Sequence, residues 1–209
     1  MKKWLEKAGI DTKPWIGPQY KTVERLWVEV CKGESVLVRR NGGIVREVEV
    51  MNVRVRRGEN FLTEKFQQQR EGNFRIRFLP HIGEKMNPGE EWTAAVYRAC
   101  EEELNVPADE CQIEHSTHAV TLDESDSKSY PGLAAVYMQH FVFVDIPRLP
   151  DGDFATDEFD PGGRLVSHRL SVSIMRSCSF LLGGRAILKR LLSAASINQS
   201  SAVRCSNRT

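Results

Sequence analysis

Val23, Leu26, Trp27 and Val30 recur at spacings of three and four within residues 21–34, the pattern of an amphipathic helix. Asn41-Gly42-Gly43 then signals a turn. Beyond it, apolar and charged residues alternate through 45–50 and again through 53–56, as they do in half-buried strands. Residues 74–78 alternate in the same way, and the turn-like 70–73 separates them from a less regular stretch, 61–69. These segments predict antiparallel strands. After Met86-Asn87-Pro88-Gly89 the period changes, and Glu90 to Leu104 reads as a helix, with Glu90 and Glu91 in its first turn and Pro107 beyond its end. Strand-like composition returns over 113–122 and 134–146, with 125–132 as a polar loop between them. The predicted order is helix, strands, helix, strands.

A chain of 209 residues suits one domain of roughly 150 residues with extensions. Its 41% hydrophobic and 27% charged residues exclude wholesale disorder and a fibrous fold. The longest apolar stretches are broken by Gln139-His140 and by Arg176, so no membrane-spanning helix is predicted and no membrane partner is expected. The charged opening residues lack the apolar run of a secretory signal. Five cysteines, widely spaced and without a C-x-x-C pair, indicate neither a disulfide framework nor a zinc site. An intracellular, reducing, cytoplasmic setting is the expectation. Residues 1–40 are expected to form an N-terminal helical extension, 41–160 the folded domain, and 161–209 a Ser/Arg-rich, basic, unstructured tail.

Charge is segregated along the chain. Residues 37–78 carry net +5, residues 84–124 net −9, and residues 161–209 net +8 with no Asp or Glu. Cations suit phosphate and carboxylates suit divalent metal, so a basic surface beside an acidic one could hold a polyphosphate with its ion. Two solvated faces would give the same pattern.

Advancing 100° per residue along the second helix puts Ala95, Val96, Ala99 and Cys100 on one inward stripe and Glu103 in its middle. Glu102 falls at the stripe's edge near Arg98, and Glu101 points to solvent. A buried carboxylate must be paired, protonated or metal-bound. A strand arginine such as Arg54, Arg75 or Arg77 would serve as well as a metal.

The spacing Glu90, seven residues, Arg98-Ala99-Cys100-Glu101-Glu102-Glu103-Leu104-Asn105-Val106 resembles the signature of the Nudix hydrolases, G-x5-E-x7-R-E-U-x-E-E-x-G-U with U aliphatic. Glu90, Arg98, Glu102, Glu103 and Val106 match in register. The opening Gly falls on Glu84, with Gly83 one place early. The closing Gly falls on Asn105, a residue able to take a left-handed cap. The first Glu after the arginine is Ala99. The resemblance covers Gly83 to Val106 and implies an α/β fold, the α/β/α sandwich with a mixed sheet.

Carried over residue by residue, the resemblance implies that Glu102 and Glu103 bind Mg²⁺ or Mn²⁺ and act in catalysis with Arg98, while Arg98 and Glu90 pair to brace the loop against the helix. Metals would neutralise a diphosphate and activate water for attack on phosphorus. Ala99 removes a principal ligand, so metal should be held more weakly. The acidic segment Asp123-Glu124-Ser125-Asp126, read as a loop, could supply a replacement. Two functions follow as expectations: metal-dependent hydrolysis of a nucleoside diphosphate derivative, impaired by Ala99, or non-catalytic binding of a nucleotide or RNA through basic-strand arginines, with Arg54, Arg75 and Arg77 as the substrate-binding candidates.

Other signals carry less. On a regular strand His115 and His118 would face opposite sides, a poor metal pair. The glycine pairs at 42, 162 and 183 lack a phosphate-loop context and read as turns. Tyr130, beside Pro131-Gly132, reads as structural. Trp4, Trp15 and Trp27 are expected to pack on the domain.

Overall fold

The structure, a computed structural model, describes residues 1–17, 19–69, 74–150, 152–159, 165–175 and 202–203. The N-terminal segment supplies helices α1 (Lys2–Lys7) and α2 (Val23–Lys32) and strand β1 (Val36–Arg40). Thr22 caps α2 by accepting from the Arg25 amide, and Gly33 ends it in the left-handed region at φ 79°. A tight turn through Asn41 and Gly42, both at positive φ, leads into β2 (Gly43–Arg57). The two alternating stretches predicted here are one continuous strand.

Strand β2 organises the sheet. Along one edge it pairs antiparallel with β1, then with β5 (Ile82–Lys85), and at its end with β3 (Asn60–Gln69). Along the other it pairs in parallel with β7 (Ala134–Asp145), from Val45↔Ala134 to Arg56↔Asp145. Strand β6 (Gln112–Asp126) lies antiparallel to β7, and β4 (Phe74–Leu79) to β3. The sheet is therefore mixed.

Two apolar clusters fill opposite faces of β2, because successive side chains on a strand alternate. Ile44 packs with Leu5, Trp15, Leu26, Val30 and Tyr130 under α1 and α2. Met51, Val53 and Val55 pack instead with Ala95, Val96, Ala99 and Cys100 of α3 (Trp92–Leu104). Helices thus cover both sides of the sheet, the α/β/α layering expected of the chain. Tyr130 is fully buried against Trp15, whose indole N–H donates to the Pro131 carbonyl at 2.8 Å. Trp27, by contrast, is 43% exposed. The inward position on α2 belongs to Glu29, which lies on the same stripe as Leu26 and Val30.

Glu29 is held by Arg46 at 2.8 Å, Lys21 at 2.6 Å and Lys85 at 2.8 Å, with the Ser35 hydroxyl donating at 3.1 Å. Within the segment expected to be unstructured, Leu165–Met175 forms β9, antiparallel to both β3 and β8 (Phe154–Phe159). Its serines hide a period of two, Leu170, Val172 and Ile174 alternating with Ser171 and Ser173, and the backbone of β3 offers an edge to pair with. A two-residue β10 (Ala202–Val203) pairs with β1. The rest of that segment lies outside the described residues. Among the described residues no helix is long and apolar enough to cross a membrane.

Candidate functional site

Helix α3 begins two residues later than its acidic signal suggests. Glu91 is its N-cap in extended conformation, and Glu90 stays in the approach loop, where its carboxylate accepts from the Asn87 amide at 2.8 Å. The helix ends at Asn105, at φ 55° and ψ 37°, the left-handed cap that a glycine usually occupies. Amides of Asn105 and Val106 close the last turn onto the carbonyls of Glu101 and Cys100.

Arg98 holds the loop to the helix. Its Nε and Nη2 donate to the two oxygens of Glu90 at 2.9 Å each, and Nη2 also donates to the Lys85 carbonyl at 2.7 Å. The two-pronged geometry restrains both orientation and distance, which a single contact does not. Hydrogen bonds from Arg98 hold the Glu90 carboxyl below its usual range against an upward push from burial, and the same bonds raise the guanidinium. Nη1 further meets Glu102 at 3.4 Å and Glu84 at 3.6 Å. One cation is thus ringed by three carboxylates.

The remaining carboxylates fall as the helix arithmetic requires. Glu103 is buried, 2% exposed, facing the sheet, and its backbone carbonyl accepts from the Thr156 hydroxyl at 2.8 Å. Glu101 and Glu102 are exposed. Ala99 is fully buried in the core. A divalent ion needs several oxygen ligands converging on one point. Glu102 is turned outward onto Arg98 and Glu103 inward, with a methyl group at position 99. Among the described residues no group of three or more His, Cys, Asp or Glu side chains could hold a metal ion. These residues do not fit the expected Mg²⁺ or Mn²⁺ cage.

Two expectations about neighbouring residues are corrected. Asp123 to Asp126 is not a loop but the end of β6, paired with Tyr137 to Ala134 of β7. His115 and His118 do not face opposite sides. The register slips between Glu114↔Phe143 and Ala119↔Phe141, leaving a bulge closed by Thr117, whose hydroxyl donates to the Glu114 carbonyl at 2.6 Å and accepts from the Phe143 amide at 3.0 Å. Both imidazoles consequently meet Trp92, His118 stacked at 4.1 Å between centroids and His115 edge-on at 5.3 Å.

His118 Nε2 lies 3.1 Å from His140 Nδ1, and His140 Nε2 lies 2.9 Å from Glu49. Burial, then the neighbouring His140, lowers the His118 imidazole below its ordinary pKa. The Glu49–His140–His118 chain escapes sequence reasoning because a bulge assembles it. Its one legible sign is His140, which sits two residues before Val142 on the buried phase of β7.

Of the candidate arginines, the structure separates Arg54 from Glu102 and Glu103. Arg54 lies on the face of β2 opposite α3, its guanidinium over the rings of Phe143 at 5.5 Å and Phe141 at 5.9 Å. Arg75 and Arg77 lie on β4, and their side chains fall outside the described residues. Of two clefts near the helix, one lies beside the C-terminal end of α3 and is lined by Asn105, Arg148 and Thr156, and the other lies beyond its N-terminal end. Neither is lined by Glu102 or Glu103.

No family model matches the chain, and neither does any curated protein. Among solved structures it is similar to the Ap4A hydrolase of C. elegans, crystallised as a binary complex. The two are 17% identical over 48% of this chain and 68% of that one, with a TM-score of 0.32. A likeness that loose carries no weight for function.

Proposed function

We propose that this chain is a Nudix-type domain that recognises the diphosphate of a nucleoside diphosphate derivative and hydrolyses it weakly or not at all. One observation supports the reading above others: the Arg98–Glu90 fork stands at the signature's spacing, while Ala99 stands where the signature carries a metal-binding carboxylate. The fork keeps the loop in a fixed shape. The methyl group takes away charge that a divalent ion would need. Glu103 and Glu102 remain the residues on which any residual hydrolysis would depend.

Burial of Ala99 also changes what a restoring substitution would mean. Ala99→Glu would place a carboxylate among Val96, Cys100 and the β2 valines, at a cost of several kcal/mol unless it found a partner. The cleaner test measures binding and turnover separately. ADP-ribose titrated calorimetrically in Mg²⁺ and again in EDTA should bind saturably in both, with diphosphate cleavage well below a typical enzyme rate of about 10 s⁻¹. Cleavage at that rate, metal-dependent and abolished by Glu103→Gln, would establish an ordinary hydrolase instead. Absence of binding would sink the reading, and preference for a single-stranded RNA over ADP-ribose would move it to nucleic acid.

A further inference from the structure

Past the first turn of α3, the same face of the sheet opens into a cleft of about 660 Å³. That volume is within the range of small-molecule sites, roughly 300–1,000 Å³. Its floor is three strands wide. The pairing register sets Glu124, Val136 and Glu47 across one row and Leu122, Met138 and Glu49 across the next. Leu122 is 53% exposed and Met138 40%, so the cleft presents apolar surface to solvent between acidic rims. The wall is tight where α2 meets the approach to α3: a Cβ on Gly33 would lie 2.2 Å from Pro88 Cγ.

The charges around this floor do not cancel. Arg40 pairs with Glu47, and Lys32 with Glu34 at 3.3 Å. Glu49 meets the His140 imidazole instead of a lysine or arginine, and no cation among the described residues pairs with Glu124. Two carboxylates without a lysine or arginine partner therefore stand on β2 and β6, two strand intervals across and one row along, about 12 Å apart on the diagonal, with the hydrocarbon of β7 between them.

We infer that this cleft binds a small organic dication, an alkyl chain with an ammonium group at each end, laid across β7 so that one end meets Glu49 and the other Glu124. The chain covers Val136 and Met138, and the two ammonium groups supply the charge the rims lack. The site is independent of the proposed nucleotide function. It adjoins the N-terminal end of α3, and eleven residues of helix, roughly 16 Å at about 1.5 Å each, separate Trp92 from Glu103.

Hexane-1,6-diamine, titrated into the intact protein by calorimetry and followed by NMR of the histidine ring protons, tests the inference. The diamine should bind saturably at one site and shift the His140 resonances, because His140 shares Glu49 with the ligand. Hexane-1,6-diol should bind at least about tenfold more weakly. Glu49→Gln and Glu124→Gln should each weaken the diamine by about tenfold or more, and Glu101→Gln, on exposed helix, should not. Glu124 is exposed, so its variant keeps the test open even if Glu49→Gln disturbs the fold. Equal binding of diol and diamine, wild-type affinity in Glu124→Gln, or no saturable binding of the diamine would each overturn the site.

Discussion

Two arginine–glutamate pairs tie a helix to the strand layers, and they are built in opposite ways. Arg46 and Glu29 are 4% and 6% exposed at their side chains, and one carboxylate is surrounded by three cations. Arg98 and Glu90 are 24% and 12% exposed, and one guanidinium is surrounded by three carboxylates. The first arrangement neutralises a buried group on every side and fixes how α2 sits on the sheet. The second keeps a loop in shape while leaving excess negative charge at the surface. Lys85 joins them, its ammonium on Glu29 and its backbone carbonyl on Arg98. The position of β5 is therefore common to both.

Breaking the buried pair should have the largest effect. Arg46→Met leaves Glu29 with two lysines, and the Ser35 and Tyr137 hydroxyls without the donor that meets them at 3.0 Å and 3.3 Å. A loss of about 3–5 kcal/mol in urea unfolding is expected; a loss under about 1 kcal/mol would mean that the lysines alone suffice.

Acid should act on the same group next. Burial raises the Glu29 carboxyl, but Lys21, Lys85 and Arg46 together outweigh it and bring its pKa down from 4.5 to about 2. A carboxyl depressed on folding contributes stability that is full above its unfolded pKa and lost as pH falls from about 4.5 toward about 2. The contribution is about 3 kcal/mol, partly offset because burial and Lys85 lower the Lys21 ammonium. Stability measured from pH 6 to pH 2 should fall in that window, and the fall should be much shallower in Glu29→Gln.

The half-buried pair should respond least. Arg98→Lys keeps the charge but loses the fork, for about 1 kcal/mol, and Glu102→Gln should change stability by less than about 0.5 kcal/mol because its contact is a solvated i,i+4 pair. An Arg98→Lys penalty as large as that of Arg46→Met would erase the distinction between the two networks.

The helix stripe made Glu103 legible because a 3.6-residue period fixes direction without reference to any neighbour, and Asn105 was legible as a cap because its short polar side chain tolerates positive φ. The same arithmetic would have found Glu29, which shares the stripe of Leu26 and Val30, had Trp27 not drawn the face toward itself. Bulkier apolar residues do not always take the inward position. A caged carboxylate displaced one here, since a buried charge with three partners is satisfied and a tryptophan can stand 43% exposed.

Local pattern by itself determined the two long helices, the alternation of the strands, and the direction of each carboxylate on α3, because those follow from the periods of a single element. Only the tertiary structure decided that β2 shows different helices to its two halves, that Arg54 lies across the sheet from Glu102 and Glu103, and that a bulge at Thr117 carries two histidines onto Trp92. It also made Asp123 to Asp126 the paired end of a strand instead of a loop, with Glu124 on the rim of a cleft. Each of these depends on which strands become neighbours and in what register. A shift of one residue in pairing turns every side chain to the opposite face, and no local period records that choice.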